Sequence, residues 1–200
     1  KTRVAVGLSG GGDSSVSALL LQEMGLEVVG VHIQCWDYNS ENCTGNADRA
    51  DAAWLCSHLG IPFKYLDFQK EYKDTVIKYF YEELKAGRTP NPDIMCNKEI
   101  KFGLFYEWAL KNGFDYVATG HYAQVKENDG VYSLHQGVDN SKDQSYFLYR
   151  LNQEQLSKIL FPVGGMYKKD IRKIAENIEL PTAKRPDSMG ICFVGEVDIK

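Results

Sequence analysis

Two hundred residues suffice for one α/β domain, or for one domain with a small appendage, and such a chain buries a core without disulfides. The net charge of −4 argues mildly against a nucleic-acid partner, although the basic residues late in the chain cluster. Five cysteines without a C-x-x-C pair exclude a secreted disulfide framework, and no apolar run approaches the roughly 18 residues of a membrane span, so we expect a reducing compartment and no membrane partner.

The first predicted element is a strand that ends at a glycine loop. An apolar, β-branched run through Val6 stops at Gly10, Gly11 and Gly12, and a helical pattern begins at Ser15. Glycine tolerates positive φ and lets a ligand approach the backbone closely. The N–H groups of the loop and of the first helical turn then point at one spot, where the helix dipole favours an anion. The loop is therefore predicted to bind phosphate.

Two common phosphate-binding motifs do not fit this loop. Residues 7–12 have the spacing of a Walker A motif, but Asp13 stands where that motif has Lys, and the contiguous glycines differ from the G-x-G-x-x-G pattern. The run of residues 9–14, S-G-G-G-D-S, resembles instead the pyrophosphate-binding loop (PP-loop) of the ATP pyrophosphatases, which split ATP into AMP and pyrophosphate. The alternative is a glycine-rich turn with an Asp or Ser N-cap.

Strands alternate with helices through the first two thirds of the chain. Apolar patterns predict further strands at 28–33, 63–66 and 115–122, and helices at 15–24, 48–59, 72–85 and 98–111. This order implies βαβ units, and hence an α/β fold with a parallel, doubly wound, Rossmann-like sheet. We divide the chain into a PP-loop domain at 1–136 and a helical appendage of the same catalytic domain at 137–200.

The later segments are less regular. Residues 124–136 read as a β-hairpin around Asn128-Asp129-Gly130. A short aromatic helix is predicted after Lys142, with helices at 153–159 and 168–177 and an extended stretch at 181–188. The basic residues at 168–173 are interpreted as a solvated helix face.

The run from Gly87 to Asn97 alternates prolines with polar residues and is predicted to form an extended, stiff loop. Cys96 then lies beside a helix start and two lysines, surroundings that favour a thiolate. It is a candidate nucleophile, with a structural cysteine as the alternative. Gly120 and His121 end a predicted strand and should lie near the nucleotide.

The remaining cysteines do not suggest a metal site. Cys35, Cys43 and Cys56 have, with His58, the wrong spacing for a zinc knuckle, so packed thiols are expected and no metal ligand is assigned. His32 is interpreted as a packed strand residue, and Cys192 on its own as a buried strand cysteine.

Five segments together resemble one family, the tRNA-specific 2-thiouridylases. They are residues 9–15, 87–102 (G-R-T-P-N-P-D-I-M-C-N-K-E-I-K-F), 118–122, 142–148 and 187–193. The resemblance implies an adenine nucleotide alpha-hydrolase-like fold and a bacterial cytoplasmic enzyme, or a mitochondrial or plastid one in a eukaryote. Family members continue into C-terminal tRNA-binding domains, which we expect this chain to lack.

The resemblance also implies an ATP and Mg²⁺ site. The residues that would hold ATP are Gly7, Leu8, Ser9, Gly10, Gly11, Gly12, Asp13 and Ser14, together with the backbone of Ile33 and Gly120. Gly12 replaces a valine that is usual in the family. This exchange removes a packing pair of methyl groups and raises the entropy of the loop, at a cost of about 1 kcal/mol, and leaves open whether ATP binds more weakly.

The implied substrate is tRNA of the Lys, Glu or Gln type with uridine at position 34. After transfer of AMP to the 2-oxygen of this uridine, a persulfide on Cys192 would attack, and Cys96 would resolve it with Asp93 as proton acceptor, leaving a Cys96–Cys192 disulfide. A relay protein or cysteine desulfurase would supply the sulfur. The implied tRNA contacts are Asn91, Pro92 and Asp93 around the flipped base, and His121, Lys142, Asp143 and Gln144 elsewhere.

Three alternatives stay open. Cys96, Cys192 and Asp93 would hold a [4Fe-4S] cluster in a second version of the sulfur chemistry. Another AMP-forming synthetase with the same loop would need neither cysteine. A nucleotide-binding module without catalysis would bind ATP and release no pyrophosphate.

Overall fold

The computed structural model describes residues 1–36 and 45–185. The strands within them are β1 (Arg3–Gly7), β2 (Glu27–Gln34), β3 (Phe63–Asp67), β4 (Tyr116–Ala118), β5 (Ala123–Asn128), β6 (Val131–Gln136) and β7 (Ile159–Leu160). Five of these strands form one parallel sheet in the order β3-β2-β1-β4-β7, and β5 pairs with β6 as the predicted antiparallel hairpin.

The helices of the same residues are α1 (Gly12–Glu23), α2 (Gly45–Leu59), α3 (residues 69–85), α4 (residues 92–111), α5 (Gln153–Leu156) and α6 (Lys168–Asn177), with a 3₁₀ turn at Ser145–Phe147. Both α3 and α4 contain a π-helical segment, at Lys73–Ile77 and Cys96–Leu104. None of the described helices is both long enough and apolar enough to cross a bilayer.

The central strands are buried on both faces, which explains their continuous apolar sequences. In β1, Val4, Ala5 and Val6 have no exposed surface. One face of the sheet packs against α1, α2 and α6, and the other against α4. Helices on both faces of a parallel sheet confirm the predicted α/β class.

The position of β1 in the sheet determines where the glycine loop lies. β1 pairs with β2 on one side and with β4 on the other. The chain leaves β1 for β2 and later returns to place β4 on the opposite side, so a crevice opens at the carboxyl ends of these strands. The glycine loop follows β1 directly into this crevice.

The predicted extended loop at 87–97 is wrong from Pro92 onward, because α4 begins there. The Asn91 side chain is the N-cap and accepts hydrogen bonds from the N–H groups of Asp93 (3.1 Å) and Ile94 (3.3 Å), and Pro92 takes the first helical position. Proline suits that position, since the N–H it lacks has no partner inside the helix. Cys96 therefore lies inside a helix and not on a loop.

Three other predictions of secondary structure need correction. The predicted helix at 153–159 ends at Leu156, and Ile159 begins β7, where it pairs with Val117. The predicted strand at 115–122 shortens to β4. Residues 181–184 form a turn and not an extended stretch, while 186–188 lie outside the described residues. The strand β7 and the helix α6 join the same sheet and core as the first domain, and the division at residue 137 stays a prediction.

The two ends of the glycine loop differ in what they tolerate. Gly10 has φ +80°, and a Cβ on it would lie 2.7 Å from the Asp48 carbonyl oxygen, whereas a Cβ on Gly12 would meet no atom within 4 Å. Around the Cβ position of Gly12 there is therefore no neighbouring atom with which packing contacts could be lost. What remains at Gly12 is the entropic cost of glycine in the first turn of α1.

We predict that Gly12→Ala raises the free energy of unfolding by about 0.5–1 kcal/mol, because alanine restricts the unfolded chain without strain in the fold. Gly10→Ala should lower it by more than about 1 kcal/mol, because the substitution combines positive φ with a clash. Urea unfolding of both variants measures the difference. A destabilising Gly12→Ala, or a neutral Gly10→Ala, would contradict the loop geometry.

Candidate active site

The glycine loop is braced by its own serines. Ser14 Oγ accepts a hydrogen bond from Ser9 N (3.2 Å) and donates one to the Gly11 carbonyl (3.2 Å), while Ser9 Oγ accepts from Gly11 N (3.3 Å). The two hydroxyls, which belong to residues predicted to hold ATP, therefore also form hydrogen bonds inside the loop. The N–H groups of the first turn of α1 precede any intrahelical acceptor and point into the crevice, where they suit an anion.

Gly120 closes the loop from the side of β4. A Cβ on Gly120 would lie 2.6 Å from Ser14 N and 2.8 Å from the Asp13 carbonyl carbon. No larger residue fits between the end of β4 and the first turn of α1. The structure thus brings Gly120 against the loop, as its place in the sequence predicted. Ile33 lies one residue before the end of β2, at the neighbouring strand terminus.

A lysine from the far end of the chain reaches the loop. Lys168, the first residue of α6, places Nζ 2.7 and 2.8 Å from the two carboxylate oxygens of Asp13, and the Tyr122 hydroxyl donates to Asp13 Oδ1 at 2.7 Å. The Lys168 side chain is 14% exposed and that of Asp13 is 31% exposed. The interpretation of residues 168–173 as a solvated face is therefore wrong for Lys168, although Lys169 beside it is exposed.

This arrangement places a lysine ammonium beside the loop, where the motif itself has no lysine. In a Walker A loop a lysine lies in the loop sequence, whereas here Asp13 holds a lysine that enters from α6. The carboxylate fixes the ammonium at the rim of the loop, and the N–H groups converge beside it. Together these groups would suit a polyanion, such as the phosphates of a nucleotide.

Cys96 is enclosed. It has no exposed surface and packs in a cluster with Cys35, Tyr72, Val76 and Ile100. The surrounding side chains therefore cover the thiol of this candidate nucleophile, and its catalytic role stays a prediction. Lys98 is one of the two lysines expected to favour the thiolate. Its Nζ lies 2.6 Å from Glu99 Oε1, so it is paired with a carboxylate.

Asp93 lies on α4 with Cys96, and Glu99 lies at the same separation on the other side of Cys96 along the helix. Asp93 precedes Cys96 by three positions, which places the two side chains on one face of a helix, and it is half-buried. Cys192, the second predicted catalytic cysteine, lies outside the described residues, and so does Cys43. The predicted pairing of Cys96 with Cys192 therefore stays a prediction.

His121 lies in the wall of the crevice. It is 8% exposed, its Nδ1 is 2.7 Å from Thr119 Oγ1, and its ring packs between Phe102 and Phe161. Burial, followed by the charge of Lys101, holds the pKa of His121 well below 6.5. The side chain is therefore a neutral wall residue with little surface to offer a ligand.

The segment at 142–144 supports the site from behind. Asp143 Oδ1 accepts from the N–H groups of Gly137 (3.0 Å) and Ser145 (3.2 Å), and Gln144 Oε1 accepts from Tyr122 N (3.1 Å). Through Tyr122 this segment is tied to Asp13. The sequence predicts these residues as ligand contacts. In the structure, two of them also accept hydrogen bonds from backbone N–H groups.

Two further predictions about buried groups are confirmed. His32 is a packed strand residue, 5% exposed, with Nδ1 3.0 Å from the Leu8 carbonyl, and burial lowers its pKa. Cys35 and Cys56 are buried thiols, and burial raises the pKa of Cys56 to about 11. Across residues 1–36 and 45–185, no three His, Cys, Asp or Glu side chains gather in a group able to hold a metal ion.

Residues 2–196 match the family model described as the tRNA methyl transferase HUP domain. The chain is 56% identical to the tRNA-specific 2-thiouridylase MnmA of Halalkalibacterium halodurans and 54% identical to that of Staphylococcus saprophyticus, in each case over 100% of this chain. It spans 54% and 55% of those proteins, about half the length of the curated relatives it matches.

Solved structures share the fold at low sequence identity. The U34-tRNA thiolase NcsA of Methanococcus maripaludis, with its [4Fe-4S] cluster, superimposes with a TM-score of 0.60 at 22% identity, over 95% of this chain and 60% of that one. A 4-thiouridine synthetase in complex with RNA and ATP gives a TM-score of 0.62 at 17% identity, over 93% and 43%. These similarities confirm the predicted adenine nucleotide alpha-hydrolase-like fold.

The buried histidines predict how stability depends on pH. His121 and His32 have lowered pKa values in the fold, whereas the unfolded chain returns them to about 6.5. Below about pH 6.5 the unfolded state binds more protons than the folded state, so the free energy of unfolding should fall as the pH decreases. Urea unfolding between about pH 7.5 and pH 5 measures this slope.

His121→Gln should flatten the slope, because it removes one of the two titrating groups. The matched control is His135→Gln, which changes an exposed histidine on β6 and should leave the slope unaltered. An equal slope in the parent and in His121→Gln would show that this histidine does not stay neutral in the fold.

Proposed function

Since the chain belongs to the tRNA methyl transferase HUP domain family, we propose that it is the ATP-using part of a tRNA-specific 2-thiouridylase. The observation that carries the proposal is the 54–56% identity, over the whole of this chain, to proteins of that name. The crevice gives physical support, because it combines a polyanion site at the glycine loop with a cysteine on a neighbouring helix.

The first proposed step activates the substrate carbonyl. The 2-oxygen of uridine is a poor leaving group, so it attacks the α-phosphorus of ATP, and the bond from that phosphorus to pyrophosphate breaks. Negative charge builds up on the departing pyrophosphate. The N–H groups at the start of α1 and the ammonium of Lys168 are placed to stabilise that charge, and Asp13 orients the ammonium.

Mg²⁺ fits this proposal as a cation that ATP carries. Protein sites that use Mg²⁺ with nucleotides often supply one or two carboxylates, while substrate phosphates and water fill the other positions. The ion would offset phosphate charge during the transfer of AMP.

The second proposed step exchanges oxygen for sulfur. The terminal sulfur of a persulfide on Cys192 attacks C2 of the activated uridine, and AMP leaves with the former 2-oxygen. The Cys96 thiolate then attacks the sulfur of Cys192, the persulfide S–S bond breaks, and the thiolated base and a Cys96–Cys192 disulfide result. Asp93 on the same helix face accepts the Cys96 proton. The role of Cys192 rests on family resemblance alone.

A [4Fe-4S] cluster remains the alternative for the sulfur step. Such a cluster would need Cys96 together with ligands that include Cys192, outside the described residues. The fold similarity to a thiolase with a cluster is at 22% identity and supports the architecture alone. The persulfide version needs fewer ligands and is the one we propose.

The proposed RNA partner is tRNA with uridine 34, and the proposed sulfur source is a relay protein or cysteine desulfurase in the cytoplasm. Asn91, Pro92 and Asp93 begin α4 and would pack around the extruded base. Lys142 offers a positive charge for the RNA backbone. His121, being buried, would shape the pocket rather than contact the backbone of the RNA.

The decisive assay measures pyrophosphate release from ATP with and without tRNA, followed by mass spectrometry of the tRNA for one oxygen-to-sulfur exchange. Pyrophosphate release without an oxygen-to-sulfur exchange in the tRNA would favour another AMP-forming synthetase. Binding of ATP without release would favour the noncatalytic module.

Lys168→Met should lower the rate of pyrophosphate release by about 100-fold or more, because it removes the cation that faces the leaving group while keeping the length of the side chain. The matched control is Lys169→Met, since Lys169 is the next residue and is exposed. That variant should keep the parent rate within about twofold. Equal losses in both variants would sink the assignment of Lys168.

Cys96→Ser should retain ATP-dependent pyrophosphate release and yield no thiolated tRNA, because the resolving thiol is lost after activation has occurred. Cys56→Ala is the control, a cysteine equally buried but packed on the opposite face of the sheet. Normal thiolation by Cys96→Ser would disprove its role. A visible absorbance that the substitution abolishes would favour the [4Fe-4S] version.

A further inference from the structure

The backbone of the glycine loop is held by a residue that the proposed mechanism does not use. Thr182 Oγ1 donates a hydrogen bond of 3.0 Å to the Gly10 carbonyl, and the Thr182 side chain is 4% exposed. The residues are 172 positions apart, so the contact brings a turn late in the chain onto the loop. Neither a local motif nor a helix cap accounts for this hydroxyl.

The same stretch of loop is enclosed from its other side. A Cβ on Gly10 would lie 2.7 Å from the Asp48 carbonyl oxygen and 2.8 Å from Asp48 Cα, so α2 presses directly on Gly10. With φ at +80°, Gly10 adopts a conformation that other residues rarely take. The loop is therefore fixed between α2 and Thr182 at the point where its backbone turns.

Fixing the Gly10 carbonyl also fixes the next N–H group. The Gly10–Gly11 peptide is trans, and in a trans peptide the C=O and N–H bonds point in opposite directions. A carbonyl held toward Thr182 therefore directs the Gly11 N–H away from Thr182, to the side where Ser9 Oγ now accepts from it at 3.3 Å. This N–H belongs to the set that would face a phosphate.

A second contact fastens the same turn to α2. Arg185 places its two terminal nitrogens 2.7 Å from Asp48 Oδ1 and 2.7 Å from Asp51 Oδ2. These side chains are between 20% and 40% exposed, so solvent weakens the pairs. The turn is thus held at one end by a buried hydroxyl and at the other by a partly exposed cation.

We propose that Thr182 is a positioning residue for pyrophosphate recognition. Its hydroxyl sets the orientation of the Gly10–Gly11 peptide and so prepares the Gly11 N–H to bind the β- and γ-phosphates of ATP. The proposal rests on the assignment of the loop as the pyrophosphate site. It assigns to Thr182 an effect on ligands that contain the pyrophosphate moiety and no effect on AMP.

The test measures binding of MgATP and of AMP by calorimetry to the parent chain and to Thr182→Val, which keeps the shape and removes the hydroxyl. MgATP binding should weaken about tenfold, as expected when a buried carbonyl loses its one side-chain donor, while AMP binding stays within about twofold. Thr182→Ser restores a hydroxyl and should recover most of the MgATP affinity. Thr182→Ala, a second variant without the hydroxyl, should repeat the selective loss.

Two controls separate a positioning role from general destabilisation. Thr75→Val removes another hydroxyl that donates to a carbonyl, that of Glu71 at 2.7 Å on α3, and should change neither affinity. Arg185→Gln should weaken MgATP binding by at most about twofold, since its ion pairs are partly exposed. A larger loss with Arg185→Gln than with Thr182→Val would overturn the proposal.

The outcomes also separate this proposal from the proposed function. Equal MgATP affinity in the parent and in Thr182→Val, or an equal loss for MgATP and AMP, would overturn the positioning role alone. Failure of the parent chain to bind MgATP would overturn the assignment of the loop and, with it, the role of Thr182.

Discussion

The candidate site depends on a contact between two groups 155 positions apart, the carboxylate of Asp13 and the ammonium of Lys168. A part-buried ion pair of this kind gains little net stability, because both charges lose solvation. Its consequence is the placement of a cation beside the N–H groups of the glycine loop. That placement requires α6 to begin next to α1, and α6 is brought there by β7, which extends the sheet beside β4.

The sequence was informative for the sheet and for the glycine loop, where a local pattern decided the structure. Buried apolar runs and the glycines that follow them predicted the parallel sheet and the phosphate loop, because both depend on neighbouring residues. The role of Lys168 could not be predicted in this way, since its neighbours suggest a solvated helix and its partner lies at the other end of the chain. The start of α4 was predictable in principle, because Asn91-Pro92 is an N-cap followed by a first-turn proline. The short strand β7 was not, since two residues carry no period.

The enclosure of Cys96 constrains any chemistry assigned to it. A thiol with no exposed surface is protected from stray oxidants and electrophiles, and it cannot meet a nucleobase unless its neighbours move. Cys96 also begins the π-helical segment of α4, and such segments interrupt regular helical bonding and occur often at functional sites. Access to the thiol and the geometry of α4 are therefore linked, so a ligand that packs around the start of α4 acts on both.

The glycine loop shows that glycine content and flexibility are separate properties. Gly10 and Gly120 are required because backbone from α2 and α1 occupies the space a side chain would need. Close packing of this kind holds the loop rigid, and a rigid set of N–H donors binds an anion without a cost of ordering at the moment of binding. Gly12 has no such neighbour, so its glycine adds freedom at the first turn of α1. The loop thus combines one fixed glycine, Gly10, with one loose glycine, Gly12, and the loose one lies next to Asp13, the residue that holds the cation.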